Sequence, residues 1–268
     1  MAKIYHFSGA GNDFVVLDGR SEDLSAFRDA AEIGRLCREY STDGLMILSE
    51  GAPGEDFTME FFNPDGSSGM MCGNGGRCIA AFADHLGLRP ATTGAYVFRA
   101  ADGLHTAEIL SREGRRWTVR LGMKDVEAVV PVLGGYFLNT GTRHFVKFVP
   151  DVEAIDIEEE GPALRHAPEF APEGANVNFV QILPEGGIKV RTFEKGVEGE
   201  TLACGTGITA SAIAAVFSGQ LPGSDEGSGI ATSHKVVVHA RKDTLEVDFS
   251  TNGTRFTDVY LTGPAELL

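Results

Sequence analysis

The chain is built twice. At Cys72 it reads Met71-Cys72-Gly73-Asn74-Gly75-Gly76-Arg77-Cys78 and continues into an apolar stretch over 79–86. At Cys204, 132 positions on, it reads Ala203-Cys204-Gly205-Thr206-Gly207 and continues into an apolar stretch over 208–217. Other segments recur at nearly the same offset. Gly11-Asn12-Asp13-Phe14-Val15 is matched 131 positions on by Thr142-Arg143-His144-Phe145-Val146, and residues 57–62 are matched by 188–193, with Phe61 against Phe193 at 132. Independent features at nearly one offset indicate tandem duplication, with a period far too long for a solenoid.

Duplication fixes the architecture to be expected. Residues 1–114 would form an N-terminal lobe carrying the Cys72 motif, and residues 115–268 a C-terminal lobe carrying the Cys204 motif. Residues 260–268 could return to the first lobe. Strand patterns cover 3–7, 14–18, 45–49, 57–62, 95–100, 104–110 and 117–121, and in the second half 188–193, 235–239, 244–249 and 258–261. Helical spacing covers 25–40, 74–86 ending at Gly87, and 208–217, whose apolar surface runs nearly all round and demands an interior. The fold class is α/β (α+β): two pseudo-symmetric lobes, each a curved, mostly antiparallel sheet wrapped around a central buried helix. The active site is expected in the cleft between them.

Composition removes several function classes. A formal charge of −15 argues against nucleic acid or anionic membrane as partner, because phosphate binding draws on clustered Lys and Arg. The basic run Arg112-Glu113-Gly114-Arg115-Arg116 reads as a solvated hairpin tip. No stretch reaches the length of a membrane span, and no basic segment leads into an apolar run at the start, so a cytoplasmic protein is expected. Four cysteines without a C-x-x-C spacing disfavour a disulfide scaffold, zinc or a redox motif. Neither metal nor cofactor is implied.

The chemistry lies in the two cysteines at helix starts. There a thiol meets unpaired backbone N–H groups and the positive end of the helix dipole, and both favour thiolate. The glycines that follow let a ligand approach the backbone, whose N–H groups can hold a carboxylate. Two such thiols serving one carbon suit stereochemical inversion, one removing a proton and the other delivering one to the opposite face. Cys37 and Cys78, inside helices, read as structural.

These motifs make the chain resemble the diaminopimelate epimerase family over nearly its whole length. The resemblance rests on Gly11-Asn12-Asp13-Phe14, on Phe62-Asn63-x-Asp65-Gly66 running to Gly75, and on Asn139-Thr140-Gly141 to His144. It rests also on Gly174-Ala175-Asn176-Val177 with Phe179, and on Glu194 through Gly199-Glu200-Thr201 to Gly207. It implies a small amino-acid substrate, LL-diaminopimelate, epimerised to the meso isomer for lysine and peptidoglycan synthesis without a cofactor, by a homodimer. By the same resemblance Cys72 and Cys204 form the thiolate/thiol pair, and His144 and Glu194 help to deprotonate them. Gly73, Asn74, Gly205 and Thr206 bind the reacting carboxylate through backbone N–H groups. Asn12, Asn63, Thr142, Asn176, Glu194 and Lys195 contact the substrate, most of them at its distal end. The family usually has Arg where Lys195 stands, and Lys is a point charge rather than a bidentate fork; Arg143 offers a compensating cation. Two alternatives stay open: a racemase of another amino acid on the same scaffold, and a non-catalytic thiol switch.

Overall fold

The computed structural model describes residues 3–21, 23–69, 71–91, 94–221 and 232–268. They divide into two compact units, Met1–Gly122 with Gly263–Leu268, and Met123–Thr262.

The first unit opens with the hairpin β1 (Ile4–Gly9) and β2 (Asn12–Asp18). They are joined by a two-residue turn, with Ala10 at φ 56° and Gly11 at φ 108°. Positive φ at both central residues matches the turn twist to that of the strands. Helix α1 (Ala30–Tyr40) follows, then β3 (Gly44–Glu50), β4 (Phe57–Phe62), α2 (Gly73–His85), β5 (Tyr96–Ala100), β6 (Gly103–Glu113) and β7 (Arg116–Gly122). The helix expected over 25–40 is interrupted. Residues Ser25–Arg28 form a 3-10 turn, and Asp29 at ψ 131° restarts the helix by accepting from the N–H groups of Ala31 and Glu32.

The strands pair in chain order from β1 to β7, and the second part of β16 (Phe256–Leu267) pairs both β7 and β1. This closes a ring of eight strands around α2. Every residue of α2 from Gly73 to Ala83 is buried. Strand β2 is buried from Phe14 to Leu17 and β3 from Gly44 to Leu48, because one face meets α2 while the other meets α1. Val15, Leu17, Leu45 and Ile47 form the α1-side cluster with Ile33 and Leu36, joined by Phe62. Residues 115–122, taken with the second lobe from sequence, lie in this unit, since β7 completes a hairpin with β6.

The second unit contains β8 (Val130–Val132), β9 (Gly135–Asn139), β10 (Arg143–Phe148), α3 (Ile157–Arg165), β11 (Asn176–Ile182), β12 (Ile188–Glu194), β13 (Gly199–Thr201), α4 (Gly205–Phe217), β14 (Thr232–His239), β15 (Thr244–Thr251) and the first part of β16. The order of connections repeats. An antiparallel hairpin leads into a parallel crossover over α3, then an antiparallel pair, a parallel crossover over α4, and an antiparallel meander. Segment 123–132 reaches both edges of this sheet. Met123 N–H donates to Val259 O, Val126 bridges Phe256, and β8 pairs β9. Each unit's seventh strand therefore runs directly into the other unit as its eighth.

The strand faces correct the repeat alignment. Phe193 packs with Val177 and Phe145 in the α3-side cluster, as Phe62, Leu45 and Val15 pack against α1. The cross-strand pairs agree, Leu45 with Phe62 and Val177 with Phe193. The equivalent of Phe193 is thus Phe62, not Phe61, and Thr142 corresponds to Asn12 while His144 corresponds to Phe14. A slip of one residue in a strand exchanges its two faces. No helix among the described residues is long and apolar enough to cross a membrane.

Candidate functional site: two thiol-capped helices

In the first unit Cys72 is the N-cap of α2, in extended conformation at φ −110° and ψ 155°. Its Sγ accepts from Gly75 N–H at 3.3 Å, so the thiol lies against the unpaired donors of the first turn. Cys72 is half-buried. Asn74 beside it is buried and donates from Nδ2 to Asn12 Oδ1 at 2.6 Å, and Asn12 Nδ2 donates to Asp43 Oδ2 at 3.1 Å. Below them Arg77 is fully buried. Its guanidinium donates to Gly73 O at 3.0 Å, Asn74 Oδ1 at 2.9 Å and Pro264 O at 3.2 Å. Of the residues singled out from sequence in this unit, Cys72, Gly73, Asn74 and Asn12 come together. Asn63 is held in its own turn, Nδ2 donating to Ser67 Oγ at 3.0 Å and the backbone N–H to Ser67 O.

The second unit repeats the cap. Cys204 precedes α4 at φ −110° and ψ 108°, is 9% exposed, and has its Sγ 3.4 Å from Thr206 Oγ1. Thr206 Oγ1 also lies 2.9 Å from His144 Nε2 and 3.0 Å from Thr142 Oγ1, while Thr142 Oγ1 is 2.8 Å from the same Nε2. The Thr142–Thr206 contact occupies the place that Asn12–Asn74 takes in the first unit. Thr140 Oγ1 donates to Thr206 O at 2.9 Å.

His144 is fully buried, and burial alone pushes its pKa down to about 3, so the ring is neutral. Asn176 accepts the Lys195 N–H on Oδ1 at 2.8 Å and donates to Arg143 O at 3.0 Å, which ties the start of β10 to the end of β12. Arg143 Nη1 donates to Glu173 Oε2 at 2.8 Å and its guanidinium lies over Phe137 at 5.2 Å. Glu194 ends β12, its carbonyl accepting Glu198 N–H in the turn that follows.

Sequence reasoning overlooked two side chains under this cap. Asn178 and Thr192 are buried and linked, Thr192 Oγ1 donating to Asn178 Oδ1 at 3.0 Å. The available signal was Asn176-Val177-Asn178, since two asparagines two apart in a strand share one face. Arg77 was also missed, although a charge four positions after Gly73 must lie under the same turn. Cys37 and Cys78 are buried, and desolvation raises both thiols. Among the described residues no three His, Cys, Asp or Glu side chains gather as a metal-binding set.

The sequence profile of the diaminopimelate epimerase family matches residues 4–127 and 136–268. Diaminopimelate epimerase of Flavobacterium psychrophilum is 37% identical over 269 residues, covering 99% of this chain and 98% of that one. The enzyme of Aquifex aeolicus is 39% identical, covering 97% and 94%. Among solved structures, a phenazine biosynthesis protein of the PhzF family from Bacillus anthracis superposes with TM-score 0.69 at 12% identity, covering 99% of this chain and 96% of that one. A hydroxyproline epimerase from Agrobacterium vitis superposes with TM-score 0.64 at 14% identity, covering 100% and 89%; these two likenesses concern the fold alone. With the family profile spanning both repeats and full-length relatives at this identity, the chain belongs to the diaminopimelate epimerase family.

Proposed function

We propose that this chain inverts one α-carbon of LL-diaminopimelate to give the meso isomer, Cys72 and Cys204 acting as the two proton carriers. The observation that carries the reading is the pair of thiols at the N-caps of two buried helices, one per unit, in a chain that matches the family throughout. One sulfur removes the α-proton as thiolate. The other, as thiol, supplies a proton to the opposite face, and the net change is a swapped C–H bond. The N–H groups after each cysteine suit the reacting carboxylate, whose charge favours a helix N-terminus. Asn12, Asn63, Thr142, Asn176, Glu194 and Lys195 would meet the rest of the substrate. His144 and Glu194 would tune the thiols. Family membership supports a homodimer acting in the cytoplasm.

The test incubates reduced protein in D2O with LL-diaminopimelate and, in parallel, with a panel of single amino acids, following mass and chirality together. Deuterium at one α-carbon with formation of the meso isomer is expected. Exchange with a different amino acid alone would move the substrate, and silence throughout would overturn the reading.

A further inference from the structure

The Asn178 amide has one orientation open to it. Its Nδ2 lies 3.2 Å from Phe145 O and 3.1 Å from His144 Nδ1, and its Oδ1 takes the Thr192 hydroxyl. A backbone carbonyl can only accept, so the atom facing Phe145 O must be the NH2 group. The same NH2 then donates to His144 Nδ1, which must be the bare nitrogen of the ring. In a neutral imidazole the proton is therefore on Nε2, which points to the hydroxyls of Thr142 and Thr206 at 2.8 and 2.9 Å. The groups that touch the ring come from the segment before β10 (Thr142), from β11 (Asn178) and from α4 (Thr206), and none of them carries a charge. Thr206, having accepted from Nε2–H, has its own hydrogen to give, and Cys204 Sγ is within reach at 3.4 Å.

We propose that Asn178 is a positioning residue that fixes His144 as an Nε2–H donor, so that Thr206 turns its hydroxyl hydrogen toward the Cys204 sulfur and holds it as thiolate. In this arrangement His144 takes no proton from Cys204. Its lone pair is spoken for by Asn178, and it works by donating.

The duplicated fold supplies an internal control. In the register set by the strand faces, His144, Asn178 and Thr192 correspond to Phe14, Met46 and Phe61. The cross-strand pairs Asn178 with Thr192 and Met46 with Phe61 occupy the same place. Phe14 and Phe61 meet edge to face, with centroids 5.9 Å apart, and Met46 Sδ lies beneath Gly75 as Asn178 Oδ1 lies beneath Gly207. The scaffold is thus built in the first unit with apolar side chains. A polar chain at the same positions under Cys204, buried and fully paired, marks a purpose beyond folding.

The proposal rests on the epimerase reading only for its catalytic consequence, and its test needs no substrate. Long-range proton–nitrogen correlation on the intact protein labelled with 15N-histidine, with His144 identified by its loss in His144→Gln, reads the tautomer directly. A proton on Nε2 throughout pH 5 to 9 is expected; a proton on Nδ1, or a charged ring in that range, overturns the proposal. Ultraviolet thiolate titration, taken as differences against Cys204→Ser and Cys72→Ser, then gives each thiol separately. Thr192→Val, the milder change, and Asn178→Ala should each raise the Cys204 pKa by about one unit while leaving Cys72 in place. An unmoved Cys204, or an equal shift of both thiols, would sink the relay. Absence of α-proton exchange alongside an intact Nε2–H tautomer would fault the substrate assignment and leave the relay standing.

Discussion

At the scale of residues, the side chains at the two helix caps divide into those visible in sequence and those hidden by packing. Cys72 and Cys204 were legible because each stands before Gly-x-Gly at the start of an apolar stretch. Asn178 and Thr192 were not, because an asparagine in a strand has the same local pattern whether it faces solvent or a helix. Replacing either Cys72 or Cys204 with Ala should lower epimerisation on the order of a hundred- to ten-thousand-fold, as the loss of a positioned acid or base does, while circular dichroism stays unchanged. His144 makes a prediction about pH. Its folded pKa of about 3 lies below its unfolded value near 6.5, so the unfolded chain binds the extra proton between those values. Stability is complete above pH 6.5 and falls as pH drops, by up to about 1.4 kcal/mol per unit. Urea unfolding of wild type against His144→Gln between pH 7 and 5 should show a steeper fall in the wild type, since the half-buried His85 and His234 contribute a slope of the same sign to both; parallel curves would refute it. Arg77 belongs to the same scale. Arg77→Leu removes one donor from each of three carbonyl or amide oxygens, and should cost about 3 kcal/mol in denaturant unfolding.

At the scale of elements, the two central helices share a backbone and differ in what lies against the first turn. A Cβ at Gly207 would come within 2.3 Å of Asn178 Oδ1 and 3.3 Å of His144 Cε1, whereas at Gly75 the nearest atoms would be Cys72 Sγ at 3.3 Å and the ends of Met46 and Met59 at 3.4 Å. Thioether ends can move, but an amide bonded on every side cannot. Gly207→Ala should therefore destabilise by about 2 kcal/mol and Gly75→Ala by less than about 1 kcal/mol, measured by chemical denaturation. The two central helices were legible from their apolar runs, as were most strands, but β8 to β11 and α3 were not, since no element was expected between 122 and 187. The register between repeats was not legible either. Phe–Val pairs occur in both β2 and β10, so sequence similarity is highest at 131, while the faces that α1 and α3 cover fix the offset of these two strands at 130. Burial of both strand faces removes the polar alternation that would have revealed the slip. The break at Asp29 escaped for a related reason: its helix-side spacing continues through 25–40, and only the cap geometry shows the restart.

For the whole molecule, the duplication gave the α+β class, and the comparisons agree with that class. What the repeat could not show is how each sheet is completed, because the eighth strands, residues 123–132 and 263–267, lie outside the matched motifs. Phe7 pairs Leu267, and Gly263 pairs Val119. Removing residues 263–268 should thus weaken protection against hydrogen exchange in β1 and β7, at the far end of the sequence, more than in β14 and β15; the reverse order would contradict this pairing. The exchange also has a consequence for synthesis. As the chain leaves the ribosome, β1 to β7 and α2 emerge first, yet the strand that seals them is translated only after the entire second unit. During that interval the nascent first unit carries two open strand edges around a helix that is buried from Gly73 to Ala83 in the finished fold, the kind of surface that invites chaperones or misassembly. A stop codon just after Thr262 would then produce a protein whose defect appears in the half made earliest.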